Sequence, residues 1–181
     1  HAGVNAALSA DPDKKRSFDQ GVAAALPIKA AMRAGTATAE QLEVYAFLDA
    51  VAFSLVRGLI GLDEVRVAIS GAAPIPAEIL EWFNAIGVPL SEIYGMSESS
   101  GPMTWDAYDI RPGTVGRAIP GCEVRLAEDG EVLCRGGNVF QGYLDDPAKT
   151  AETLVDGWLH SGDIGVMDDD GYLRIVDRKK E

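Results

Sequence analysis

The chain has 181 residues, is 47% hydrophobic, and sets 28 acidic against 16 basic side chains for a net charge of −12. That length and hydrophobic content suit one globular domain or two small ones. The acidic balance excludes a nucleic-acid or anionic-membrane surface, since both need Lys and Arg to displace counterions, but a single nucleotide needs only a local cluster of donors.

The start, His1-Ala2-Gly3, has no initiator Met and no charged-then-apolar signal pattern, which predicts a piece of a longer protein. The longest apolar stretch, 44–62, contains Asp49 and Arg57 and reads as a packed helix, not a membrane span. Cys122 and Cys134 fall in neighbouring predicted strands. The tight turn at Asp129-Gly130 does not set them opposite one another, so free thiols and a cytoplasmic setting are expected.

Residues 1–61 carry helical spacing. Asp11-Pro12 opens a helix that runs to about Arg33 and is stopped by Gly35. Thr38-x-x-Gln41 is a capping-box pattern for the next, which runs to about Ile60 with Leu42, Tyr45, Leu48, Ala52 and Leu55 or Val56 on its apolar face. This segment has no catalytic pattern and reads as scaffold.

A strand follows over Val65–Ile69. In Ser70-Gly71-Ala72-Ala73-Pro74 no side chain between the serine and the proline is larger than a methyl, giving a backbone against which a flat ring such as adenine can lie. Pro76 opens a helix that Gly87 closes, and a second strand over Val88–Ile93 leads into Tyr94-Gly95-Met96-Ser97-Glu98-Ser99-Ser100-Gly101. Strand, loop, helix, strand, loop is half of a parallel α/β sheet, with both loops at the carboxyl ends of strands, where ligands bind. In the second loop Tyr94 offers a flat face for a base and Ser97 a hydrogen bond for a phosphate or acyl oxygen. Glu98 is a hard oxygen donor suited to Mg²⁺ that stays partly coordinated by substrate phosphates. Taken alone, the octapeptide also reads as a solvated loop in which Glu98 caps a turn.

From Arg111 short alternating runs replace helical spacing: Thr114–Ile119, Cys122–Ala127, Glu131–Arg135, Asp163–Met167 and Tyr172–Val176. Turn signals at Pro120-Gly121, Asp129-Gly130 and Asp168–Gly171 separate them, and a short helix is expected over about 147–154. The fold class is therefore α/β: N-terminal helices and a partial parallel α/β unit over 1–110, then a small distorted β-barrel over 111–176. Asp168-Asp169-Asp170-Gly171 reads as a hairpin turn and not a calcium loop, because Val166 occupies a position that would have to donate oxygen. Asp163, in Ser161-Gly162-Asp163, is a carboxylate able to accept both hydroxyls of a ribose, or else a turn cap. The planar fork of Arg178 suits ribose oxygens or phosphate. His160 reads as a packed residue.

Four stretches, Ser70–Pro74, Tyr94–Gly101, Trp158–Gly165 and Asp177–Glu181, with GGNVFQGYLDDPAKT at 136–150, together resemble the adenylate-forming superfamily of acyl-CoA synthetases, luciferases and peptide-synthetase adenylation domains. The resemblance covers about Leu62–Glu181. The wording SGAAPIPAEILEWF and EIYGMSESSG is most similar to bacterial long-chain fatty-acid–CoA ligases. It implies that the loop Gly71, Ala72, Ala73 lines the adenine pocket and that Tyr94 stacks on the base, within a nucleotide-binding stretch that includes Gly95 and Met96. It also implies that Ser97 meets the α-phosphate, Glu98 holds Mg²⁺, Asp163 and Arg178 hold the ribose, and Lys180 is the hinge to a further domain, so that 177–181 begins that hinge. Many members carry Gln-Gly before the Tyr, where this chain has Glu92-Ile93.

The implied substrates are ATP, a fatty acid and CoA, with Mg²⁺, no nucleic-acid partner and no transmembrane segment; peripheral contact with the inner face of the membrane stays open. The alternatives are transfer of the acyl-AMP to a carrier protein, or a non-catalytic nucleotide-binding module. Neither a G-x-x-x-x-G-K-[ST] motif nor the Ser/Thr/Gly-rich, lysine-ended phosphate loop of this family occurs in the chain. The family places that loop before residue 1 and an adenylation lysine beyond Glu181, so the chain by itself is expected to be inactive.

Overall fold

A computed structural model describes residues 2–179. Its contacts group into two compact units, residues 1–68 with 75–90 and residues 69–74 with 91–181.

The first unit is helical: α1 (Ala2–Leu8), α2 (Pro12–Arg33), α3 (Ala39–Leu48), α4 (Ser54–Leu59) and α5 (Ala77–Ala85). The starts of α2 and α3 follow from local chemistry. The Asp11 carboxylate accepts the Lys14 N–H at 3.2 Å, with Pro12 in the first turn, where its missing N–H costs nothing. Thr38 and Gln41 form the expected reciprocal box at 2.9 and 3.2 Å. The expected single helix from Thr38 to Ile60 runs without interruption over 39–59 but widens into a π-helical turn at Asp49–Phe53. The wider turn rotates the residues that follow, so Phe53 and Val56 are buried while Leu55 is exposed, and Leu42 on the predicted apolar face is exposed too. Asp49 receives both Nη atoms of Arg57, at 2.5 and 3.1 Å, and Arg57 Nη1 also donates to the Ile86 carbonyl behind α5 at 2.6 Å. The two charges noted in the apolar stretch therefore neutralise one another at a helix end. Phe18, Val22, Phe53, Trp82, Ile86 and Val88 build the core of this unit. Among the described residues no helix is long and apolar enough to cross a membrane.

Two sheets follow. The first has the order β1 (Ala68–Ser70), β2 (Leu90–Met96), β3 (Gly101–Trp105), with β3 antiparallel to β2. The second contains β4 (Cys122–Leu126), β5 (Glu131–Gly136), β6 (Leu154–Val155), β7 (Trp158–Met167) and β8 (Leu173–Arg178), in the order β4-β5-β7-β6 with β8 also on β7. All its pairs are antiparallel. A short helix α6 (Pro147–Thr153) is capped by Asp146.

β3 was not expected, since Gly101-Pro102 is poor strand sequence; its pairing with β2 makes it one. Conversely, Thr114–Ile119 alternates but forms no ladder among the described residues: it bonds to β3 through Trp105 N–H to Arg117 O, Ile119 N–H to Met103 O, the Thr104 hydroxyl to Val115 O at 2.7 Å and a single bridge, Thr104–Ala118, and to β8 through Leu173. These bonds tie β3 to the segment beyond Ile110. The Asp168–Gly171 stretch is the β7–β8 hairpin turn, its Asp168 Oδ1 accepting from the N–H groups of Asp170 and Tyr172. Cys134 lies opposite Val124 and Cys122 opposite Gly136, as the turn required. The diagonal nevertheless brings the two sulfurs to 3.1 Å as free thiols. Burial, then the contact with Cys122, pushes the Cys134 thiol up to about 12.

Candidate functional site

β1 ends at Ser70, and the loop that follows lies beside β2. A Cβ on Gly71 would sit 2.7 Å from Ile93 Cγ2, so only glycine allows the approach. Ala72 then takes a positive φ of 66°, and residues 71–74 are all exposed. The two expected nucleotide-facing stretches are thus neighbours, on adjacent strands.

Tyr94, Gly95 and Met96 are not loop residues; they are the last three residues of β2. A bulge between Tyr94 and Gly95 brings β2 so close to β3 that a Cβ on Gly95 would meet the Gly101 carbonyl oxygen at 2.0 Å. The turn proper is a 3-10 turn over Ser97–Ser99. The fully buried Ser99 locks it: Ser99 Oγ accepts the Met96 N–H at 3.0 Å and lies 2.6 Å from the Gly101 carbonyl oxygen. This leaves Ser97 exposed and Glu98 half-buried at the tip.

The Tyr94 ring packs against the cluster of Met103, Cys122, Cys134 and Leu159, and its hydroxyl donates to Asp163 Oδ2 at 2.7 Å. Burial above all, with the Asp163 hydrogen bond adding to it against an opposing contact from Ser161, raises the phenol above its ordinary range. Tyr94 is therefore a neutral donor at neutral pH. Asp163 lies in the middle of β7 directly opposite Arg178 of β8. The Arg178 side chain is exposed, and its guanidinium has no ion-pair partner among the described residues. Tyr94, Asp163 and Arg178, spread over 85 positions of sequence, are therefore joined by one hydrogen bond and one cross-strand register. Lys180 lies outside the described residues.

Two residues passed over in the sequence hold this arrangement. Glu131 is buried at the start of β5. Its Oε1 accepts the Gly162 N–H at 2.9 Å, and its Oε2 meets His160 Nδ1 at 3.0 Å and Lys179 Nζ at 3.1 Å. Burial pushes its carboxyl up, but these three donors together outweigh it and hold the pKa below the ordinary value. His160 is thereby a structural partner, as expected. An acid directly before the apolar run Val132-Leu133-Cys134 was the signal for Glu131. The second residue is Tyr143, whose hydroxyl donates to Glu98 Oε1 at 2.6 Å; it lies in the GGNVFQGYLDDPAKT stretch, to which no residue role was attached.

No group of three or more His, Cys, Asp or Glu side chains able to hold a metal is gathered among the described residues. Glu98 instead offers a single carboxylate with one oxygen taken by Tyr143 and no hydrogen bond to the other among the described residues. That donor set fits Mg²⁺ carried in with phosphates, which needs only one or two protein carboxylates, and does not fit a resident ion in a protein cage.

Residues 8–144 match the family described as AMP-binding enzyme. The chain belongs to that family. It is 51% identical over 154 residues to fadD11 of Mycobacterium tuberculosis, a protein named as a fatty-acid–CoA ligase, covering 83% of this chain and 27% of that one. The long-chain-fatty-acid–CoA ligase FadD15 of Mycobacterium bovis is 41% identical over 138 residues, covering 76% of this chain and 23% of its own length. Among solved structures, the anthranilate CoA ligase AuaEII in complex with anthranoyl-AMP superposes with a TM-score of 0.58 at 28% identity, over 65% of this chain and 25% of that one. The AMP-binding chain described here thus spans about a quarter of the length of the curated relatives it matches. Its α/β fold agrees with that of these relatives.

Proposed function

We propose that this chain is the nucleotide-holding portion of an ATP-dependent fatty-acid–CoA ligase acting on long-chain acids. The observation that carries the reading is the joined set Tyr94–Asp163–Arg178, with the Ser97–Glu98 turn following directly on from Tyr94 at the end of β2. In this reading the Gly71-Ala72-Ala73 backbone and Tyr94, with Gly95 and Met96, form the walls of the adenine site. Asp163 accepts ribose hydroxyls, chiefly on the oxygen that Tyr94 leaves open, and the Arg178 fork meets the same sugar. Ser97 hydrogen-bonds the α-phosphate. Glu98 holds Mg²⁺, which when bound neutralises charge on the phosphates. Lys180 is the hinge toward a further domain.

The reaction has two steps. A fatty-acid carboxylate attacks the α-phosphorus of ATP, the bond to the β-phosphate oxygen breaks, and pyrophosphate leaves. The thiolate of CoA then attacks the acyl carbon of the acyl-adenylate, and AMP departs. Neither step needs a nucleophile from the protein; positioning and charge neutralisation supply the rate. The AMP-binding family and the relatives named as fatty-acid–CoA ligases support this reading. Two free thiols support a cytoplasmic location.

The test is pyrophosphate release with fatty acid, ATP and Mg²⁺ on three proteins: the full-length ligase, the same protein with Glu98→Gln, and this chain alone. The full-length protein is expected to turn over. Glu98→Gln should lower the rate by about 10²–10³, the typical cost of one preorganised charge-stabilising group. This chain, without the phosphate loop, should release nothing sustained. Turnover by the chain alone, or a Glu98→Gln rate within a few-fold of the parent, overturns the reading.

A further inference from the structure

Glu98 sits on a 3-10 turn of three residues, which by itself does not fix a long, flexible side chain. Yet the residue is held at both ends by one loop. The Phe140 N–H donates to the Glu98 carbonyl at 2.7 Å, and the Tyr143 hydroxyl donates to Glu98 Oε1 at 2.6 Å.

That loop is anchored in turn. The Tyr143 N–H donates to Thr150 Oγ1 at 2.9 Å, and the Thr150 hydroxyl donates to the Asp146 carbonyl at 2.8 Å. Asp146 Oδ1 caps α6 through the Lys149 N–H at 2.9 Å. A Cβ on Gly142 would lie 2.7 Å from Thr150 Cγ2, so the loop is pressed against α6. The Tyr143 ring meets Phe140 edge-on at 4.9 Å between centroids, and Lys149 Nζ stands 4.9 Å from its centre on the ring face. Helix cap, threonine, backbone and ring thus fix the phenol before it reaches the carboxylate.

We infer that Tyr143 is the positioning residue for Glu98: its hydroxyl fixes the carboxylate rotamer so that the second oxygen, Oε2, is presented to the divalent cation that accompanies ATP. The inference rests on the reading of Glu98 as the cation-holding residue. It gives GGNVFQGYLDDPAKT a function, coupling the α6 cap to the end of β2 across 45 positions of sequence. Outer-shell partners that orient a metal-binding side chain typically carry about 10- to 100-fold in metal affinity.

The experiment uses the full-length protein without fatty acid, so that no turnover occurs. Free Mn²⁺ is followed by electron paramagnetic resonance in the presence of ATP for the parent, Tyr143→Phe, Glu98→Gln and the double variant. ATP affinity without metal and the melting temperature are measured alongside. Tyr143→Phe keeps the ring and its packing, so melting and metal-free ATP binding should stay at parental values. Its Mn²⁺ affinity should fall about tenfold. The double variant should match Glu98→Gln alone, because the phenol acts only through that carboxylate. Parental Mn²⁺ affinity in Tyr143→Phe beside a weakened Glu98→Gln overturns the role of Tyr143 and leaves that of Glu98 standing. So does a double variant weaker than Glu98→Gln by the full Tyr143→Phe factor. Parental affinity in Glu98→Gln overturns the reading of Glu98, and the inference with it.

Discussion

The two compact units solve different problems with different chemistry. The helical unit buries Phe18, Phe53, Trp82, Ile86 and Val88, and only one polar side chain, Asn84, is buried with them among the described residues. The β-rich unit buries Ser91, Ser99, Thr104, Glu131 and Ser161, and every described candidate site residue belongs to it. Buried polar groups stabilise little on average, but once fully partnered they fix one geometry. Ser99 locks the turn that carries Glu98, Glu131 holds the Gly162 backbone beside Asp163, and Ser161 Oγ accepts the Asp163 N–H at 3.1 Å. The first unit supplies stability through apolar packing, while the second uses polar burial to place side chains.

That division breaks if variants in the two units fail in the same way. Phe53→Ala removes a fully buried ring that packs edge-on against Phe18 at 5.9 Å between centroids. It should cost about 3–5 kcal/mol in urea unfolding of the full-length protein and leave the KM for ATP unchanged at temperatures where the variant is folded. A large change in KM with little loss of stability would contradict the assignment of that unit to scaffold.

Asp163→Ala should show the reverse pattern. Unfolding should move little, while kcat/KM for ATP falls by about 1.5–3 kcal/mol for each charged hydrogen bond lost. Kinetics unchanged for ATP would remove Asp163 from the site.

Glu131 serves both stability and placement, and Glu131→Gln separates the two. Its folded pKa lies below the unfolded one, so the ionised form stabilises the fold above the unfolded value of about 4.3, and this contribution is lost as pH falls through the folded value. Parent and Glu131→Gln unfolding curves should therefore differ at pH 7 by about 1.5–3 kcal/mol and converge as the pH falls below the unfolded value and through the folded one. A constant difference across that range would mean that the charge of Glu131 contributes nothing.

What was legible in the sequence was what local chemistry decides. Asp11-Pro12 and Thr38-x-x-Gln41 marked helix starts because caps act within four residues, and Asp129-Gly130 and Asp168–Gly171 marked turns for the same reason. The π-helical turn was illegible, since no residue type encodes it; with it Phe53, outside the expected face, is buried, and of the alternatives Leu55 and Val56 it is Val56 that faces the core. The strand at Gly101–Trp105 was hidden by its own Gly-Pro and is created by a partner, while Thr114–Ile119 had the alternation but divides its bonds between β3 and Leu173 and builds no continuous ladder with either. The individual residues Tyr94, Glu98, Asp163 and Arg178 stood out by motif. The bonds that assemble them, Tyr94 to Asp163 and Tyr143 to Glu98, cross 69 and 45 positions and leave no local trace.

In the proposed function the polar, β-rich unit carries the nucleotide site. Amide hydrogen exchange of the full-length protein, with and without a non-hydrolysable acyl-adenylate analogue, tests it most directly. Protection is expected at 71–74, 94–99 and 161–163 and at Arg178, with the middle of α2 unchanged. Protection confined to the helices, with those four stretches exchanging as in the free protein, would contradict it.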